Sequence, residues 1–399
     1  MSRCGRFVLM ILIVLASAGV LPCDAQQVLP SAADNASGLA AVPAEKTREL
    51  PIDRYNDAAL YIAGMKLPEK SRLYSLTKNQ TWLHYASVTS GTWGSFLKTK
   101  IKKIADWAQA EIPDITRDCR TLFYPFSGPD FLYAHAFFPN ADTYVLLGLE
   151  PVGNVPEPER LQGEKLESFF RMLDTSISDA LTLSFFRTND MADEINHKLI
   201  TGTVPVLMLF LARTGNHVVD IRFFDPDDNG TIQYREAIPE SAGRKTVARG
   251  AEITFKGKND DRLRKLIYIS ADISDKGLDH RRNVRAFLGH LQPGVTTYVK
   301  SASYLMHKNY FSNIRSLILE KSSAVVQDDS AVPFRFFDKS VWDIRLYGTY
   351  SGPIDLFKVH FEKDLKDAYD RDSKKLGFRL GYASRSNVLV AHRISRLQP

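Results

Sequence analysis

The sequence predicts a mixed α/β fold built of Rossmann-like units, arranged as one large domain or two packed domains. Three observations carry this expectation. The 399 residues are 44% hydrophobic, 25% charged and 11% aromatic, ordinary globular proportions that exclude a disordered, collagenous or multi-span membrane chain. Short β-branched and aromatic runs alternate with segments of helical period, a pattern of α/β proteins and not of bundles or sandwiches. Residues 122–153 read as a complete βαβ unit.

The first 25 residues form an address and not part of the fold. Arg3 and Arg6 precede the uncharged apolar stretch 7–20, and Cys23-Asp24-Ala25 ends in small residues suited to cleavage near Ala25. The stretch is shorter than the roughly 20 residues of a spanning helix, so it reads as a signal peptide. A lipid anchor at Cys23 is the alternative, disfavoured by the preceding Pro22. The mature protein is thus expected to be periplasmic or secreted, with no stable membrane span. Residues 26–52, rich in Ala, Ser and Pro, read as a flexible leader. An N-terminal α/β region is expected over 53–245 and a C-terminal one over 246–399, divided at the polar, Gly-rich stretch 239–250.

The elements follow from local pattern. Apolar residues at helical spacing predict a helix over 93–112, with Lys98, Lys100, Lys102 and Lys103 on its other face, read as solvated. β-Branched and aromatic runs predict strands at 121–126, 143–149, 204–211, 217–224 and 231–235, and again at 266–271, 295–299, 325–327, 344–350 and 388–392. Helical period predicts 164–173, 190–200, 285–291, 304–322 and 356–370. Cys119, the one cysteine beyond the leader, lies beside an apolar run and reads as a buried thiol.

Candidate chemistry gathers at strand ends. In 122–153 a Ser127-Gly128-Pro129 turn leads to a helix opened by Pro129 and Asp130, and the next strand ends at Glu150. Glu150 lies about 20 residues beyond Gly128, where Rossmann folds place a ribose-binding carboxylate. A single glycine flanked by prolines lacks the amides a phosphate needs, so the topology is expected without a cofactor. A similar layout at 295–334 ends a strand in Asp328 and Asp329, candidates for catalysis because open α/β sheets gather ligands at that edge. A polar turn with Asp328 capping backbone amides accounts for the same letters.

Residues 225–236 match a calcium-loop template, with Asp225, Asp227, Asn229, Thr231 and Glu236 at the ligand positions and Gly230 at the sharp turn. Strand-like residues before the loop and Pro239 after it disagree with helix-loop-helix flanks. A hairpin turning at 227–230 through Asn-Gly is preferred, and a strand-flanked calcium site is the alternative.

No G-x-S-x-G elbow, H-E-x-x-H pair or P-loop occurs, and the nine histidines are scattered. The net charge of +6 is spread over short clusters, so no nucleic-acid partner is expected. The strings YPFSGPDF (124–131), GLEPVG (148–153), SASYLMH (301–307) and QDDS (327–330) resemble those of a family of uncharacterised exported bacterial proteins. That resemblance implies export and brings no activity, substrate or catalytic residues. Family members carry glycine after QDDS where this chain has Ala331. The expected function is a binding or structural role in the cell envelope. The alternative is an envelope hydrolase using Asp328 or Asp329 with Asp130 and Glu150.

Overall fold

The computed structural model of the chain describes residues 53–183, 202–235, 249–258, 260–382 and 386–394. These belong to one compact unit. Among them, ten strands form one mixed sheet: β1 (Thr121–Tyr124), β2 (Thr143–Gly148), β3 (His217–Pro226), β4 (Ile232–Tyr234), β5 (Gly250–Gly257), β6 (Asp260–Ser270), β7 (Val295–Val299), β8 (Ser322–Gln327), β9 (Trp342–Gly348) and β10 (Asn387–Arg393). Their order is β4-β3-β5-β6-β2-β1-β7-β8-β10-β9.

The central strands β6, β2, β1, β7 and β8 are mutually parallel, and the outer ones are antiparallel. The chain enters the parallel core at β1, moves outward through β2 towards β6, then returns beside β1 as β7 and continues to β8. The strand order therefore reverses between β1 and β7, the switch point at which such sheets open a crevice.

Side-chain alternation sorts the core into two layers. Leu122, Tyr124, Tyr144 and Leu146 face one side of the sheet, with α1 (Arg54–Ile62), α2 (Gln80–Phe96), α3 (Lys102–Glu111), α4 (Pro113–Asp118), α5 (Phe131–Phe137), α6 (Glu164–Leu183) and α7 (Val204–Arg213). Phe123, Val145 and Leu147 face the other, with α8 (Asp275–His280), α9 (Arg282–Gly289), α10 (Ser312–Lys321) and α11 (Lys363–Asp372). Strands covered on both faces read as near-continuous apolar runs, which is why β1, β2 and β7 are visible in the sequence.

Several expectations are corrected. Residues 204–211 form helix α7 and not a strand. Pro205 in its first turn pre-sets helical φ, and every residue from Val204 to Ala212 is buried, so apolar side chains on all faces erase the period that would mark a helix. The helix expected over 93–112 begins at Gln80, where the Asn79 side chain accepts from the Thr81 amide at 2.8 Å, and it passes into α3 through a π-helical turn at Leu97–Ile101. In the 304–322 stretch two 3-10 turns precede α10, because Ser303 and Tyr304 hold positive φ. In the 356–370 stretch a 3-10 turn, Asp355–His360, precedes α11. The sheet runs across the stretch read as a boundary: β3 precedes it, β5 follows it, and they pair from His217↔Lys256 to Phe224↔Gly250. The expected helix at 190–200 lies outside the described residues.

Candidate functional site

The site is built at the carboxyl edge of the parallel core. Asp130 follows β1 and caps α5, accepting from the Tyr133 amide at 3.2 Å. Its other oxygen accepts from the Tyr124 hydroxyl at 2.9 Å and from the Lys300 ammonium, just beyond β7, at 2.8 Å. Both partners of this ion pair are 2–3% exposed, and the ammonium lies 4.3 Å from the centre of the Tyr133 ring. Burial pushes the Asp130 carboxyl up, and Lys300 and Tyr124 pull it back.

Asp328 and Asp329 lie just past the end of β8. Asp328 is 1% exposed and accepts from the Ser301 amide at 2.8 Å, the Ser330 amide at 2.9 Å and the Ser330 hydroxyl at 2.5 Å. It therefore caps the backbone, as the polar-turn reading expects. Burial first, then the neighbouring Asp329, raise its carboxyl to about 6. Asp329 turns to different partners: Asn387 at 2.8 Å and the Tyr304 hydroxyl. Ser301, Ser303, Tyr304 and Phe126 hold positive φ in the segments after β7 and β1, strained backbone that the surrounding hydrogen bonds over-determine.

Glu150, past β2, is 3% exposed and is covered by the Gly128 turn. A Cβ on Gly148 would lie 2.8 Å from the Gly128 Cα and 2.4 Å from a Glu150 carboxylate oxygen, so this corner closes only around glycine. Tyr268 donates to the Glu150 carbonyl at 2.8 Å. The structure thus brings Asp130, Glu150, Asp328 and Asp329 to one sheet edge, each engaged by protein groups.

Asp225, Asp227, Asn229 and Thr231 lie at the same edge four strands from β1, in the β3-β4 hairpin. Asp227 accepts from the amides of Asn229 (3.0 Å) and Thr231 (2.9 Å) and from the Gln233 side chain (3.0 Å). The Thr231 amide and the Gln233 side chain hold its carboxyl below the usual range. Asp225 accepts from the Arg249 amide and pairs with Arg235. The turn is an Asx turn closing on Gly230 at φ 81°. Glu236 lies outside the described residues. Among the described residues no group of three or more His, Cys, Asp or Glu is placed to hold a metal.

Beside the Asp328 network an open groove of about 780 Å³ runs between the helical layer and the end of β9. Lys100, Lys103, Lys374, Lys375 and Arg379 line it, with no carboxylate among the described lining residues. Thr99, Thr349, Ser373 and Ser386 add hydroxyls. One wall is the π-helical turn that carries Lys100, a rare widening that recurs at functional sites. Burial, then the like charges of Arg379 and Lys300, hold the Lys100 ammonium below the usual lysine range.

The opposite wall, residues 373–379, extends the sheet edge. Lys374 bridges to Tyr347, its amide donating to the Leu346 carbonyl at 2.9 Å and its carbonyl accepting from the Gly348 amide at 2.7 Å. Phe378 packs on Trp107 at 5.6 Å. Beyond Arg379 the chain is pinned to the carboxylate network. A Cβ on Gly381 would lie 2.2 Å from an Asp328 carboxylate oxygen, and Tyr382 donates to the Ser301 carbonyl at 2.5 Å. The wall that carries the exposed cations thus packs against Asp328 at Gly381 and is tied through Tyr382 to the segment after β7.

The sequence marked the lysines of 98–103 but read them as solvated, and it did not mark 373–379. No protein-family model matches the chain, and no curated protein sequence matches it.

Proposed function

We propose that the protein is an exported binding protein of the cell envelope whose ligand is anionic and seats in this groove. One observation carries the reading: five cationic side chains and four hydroxyls line the groove, no acid is among the described lining residues, and of the five cations Lys374 pairs with Glu111 at 3.3 Å just outside it. Arg379 and Lys300 repel the Lys100 ammonium, and an oxyanion seated among these cations offsets that repulsion, strongly where water is partly excluded. The amino-terminal basic, apolar and small-residue pattern supports export. The burial of Asp130, Glu150 and Asp328, and the engagement of half-buried Asp329 by Asn387 and Tyr304, favour binding over hydrolysis, because a carboxylate held by protein donors is not free to act on a substrate.

Calorimetric titration of the chain from Gln26, which keeps the whole unit of residues 50–399, tests the reading. Inorganic pyrophosphate and oligogalacturonate are expected to bind, with affinity falling as salt rises, and a neutral oligosaccharide is expected not to bind. Equal affinity for the neutral sugar, or none for either anion, would exclude it.

A further inference from the structure

Residues 354–361 present an apolar surface to water. Ile354, Leu356, Val359 and Phe361 are 36%, 48%, 82% and 50% exposed, with Tyr310 and Phe336 nearby at 51% and 36%. These six are half of the exposed large hydrophobic residues described, so the concentration is local and not background. The segment is a pinned turn. Phe357 is buried beneath it, 5.1 Å from the Tyr304 ring and 5.5 Å from the Tyr382 ring. Phe361 stacks on Tyr350 at 5.9 Å, and the Glu362 amide donates to the Tyr350 hydroxyl at 3.1 Å.

Cations are interleaved with this surface. Lys358 lies in the turn itself, while Lys308 and Arg335 face His360. Lys308 sits 5.7 Å from the Tyr310 ring centre, and Arg335 sits 4.9 Å from that of Phe336. Asp355 is exposed in the turn, Glu362 is 10% exposed and bridged to Arg335 at 3.6 Å, and exposed Lys363 and Asp364 follow in α11. The exposed excess is positive. The patch also adjoins the groove, because Thr349 lines the groove and Tyr350, the next residue, carries Phe361.

We infer that this edge docks on an anionic bilayer surface, with the 354–361 turn entering the interface and the groove taking a phosphate headgroup. The inference rests on the anion-binding reading and deepens it by naming the ligand's source. Exposed aromatic and aliphatic side chains ringed by Lys and Arg are what binds anionic lipid interfaces. No helix among the described residues is long and apolar enough to cross a membrane, so the contact is peripheral.

Flotation of the chain from Gln26 with phosphatidylcholine vesicles, with and without phosphatidylglycerol, is the test. The protein is expected to float only with the anionic vesicles. Leu356→Ser/Val359→Glu and Lys375→Glu/Arg379→Glu are each expected to cut the bound fraction at least about tenfold while leaving the melting temperature unchanged. Failure of the wild type to float, or flotation unaffected by Leu356→Ser/Val359→Glu, would overturn the inference. Pyrophosphate binding without flotation would overturn the lipid assignment alone. A dimer that Val359→Glu dissociates, without flotation, would assign the patch to a second copy of the chain and overturn it equally.

Discussion

Lys300 donates to Asp130 at 2.8 Å across the point where the strand order reverses, and both side chains are buried. In a doubly wound sheet this crevice ordinarily receives the ligand. Here the protein's own charges close it. The exposed cations lie further along the same edge, on a wall whose continuation packs against Asp328 at Gly381.

Removing one partner of this pair leaves a buried, uncompensated charge. Lys300→Met is expected to destabilise the protein by about 3–5 kcal/mol, and Lys300→Met/Asp130→Asn by less. Urea unfolding of both variants measures this. A single variant no more damaging than the double one would contradict the pairing.

Burial, then the neighbouring Asp329, hold the Asp328 carboxyl up at about 6 in the folded protein, above its ordinary value of 3.8. Between those values the folded state keeps a proton that the unfolded chain releases. Asp328 therefore contributes stability that is complete below the unfolded value and is lost as pH rises through about 6. Unfolding free energies of wild type and Asp328→Asn, compared from acid to neutral pH, should show the wild type losing ground. The loss should be on the order of 1.4 kcal/mol for each unit of displacement. A difference that stays flat or reverses sign would contradict the assignment.

Gly381 and Gly377 make a matched pair on the groove wall. Gly381 has φ 77° and its Cβ would strike Asp328, whereas nothing lies within 4 Å of a Cβ on Gly377. Gly381→Ala is expected to cost about 1–3 kcal/mol and to weaken pyrophosphate binding, and Gly377→Ala to stay within about 0.5 kcal/mol. Thermal melts and titrations of the two variants check this.

Burial raises the Cys119 thiol to about 12. In the chain from Gln26 it is expected to resist a thiol-disulfide reagent at neutral pH when folded and to react fully in guanidinium, read from absorbance.

Much of the fold was legible. β1, β2 and β7 are apolar runs bounded by turn residues, and the Asn-Gly of the β3-β4 hairpin marks its own turn. β5 was not legible, because it follows the polar stretch read as a boundary and begins Gly250-Ala251-Glu252. Glu252 is buried because Arg222 of β3, Tyr234 of β4 and Lys265 of β6 bond its carboxylate at 2.8, 3.0 and 3.2 Å. The 204–213 run shows the limit of periodicity, since full burial removes the polar face that distinguishes helix from strand. The four carboxylates were located at strand ends, yet sequence does not say whether such a residue faces solvent or the backbone. The groove was the least legible feature. Lys100 and Arg379 are remote in the chain, and their segments meet only through tertiary contacts such as Phe378 on Trp107 and Lys374 with Glu111.

Calcium is expected to leave the thermal melt unchanged, because Asp225 and Asp227 already accept protein donors. A chelator-reversible rise that Glu236→Ala removes would instead establish a metal site in that loop.

The most direct test of the groove compares two double charge reversals by pyrophosphate titration. Lys375→Glu/Arg379→Glu changes the lining, and Lys98→Glu/Lys102→Glu changes nearby helix positions outside it. The groove variant is expected to lose at least about tenfold in affinity, with the helix variant remaining within about twofold of wild type. Equal losses in both would reduce the binding to diffuse surface charge and contradict the site.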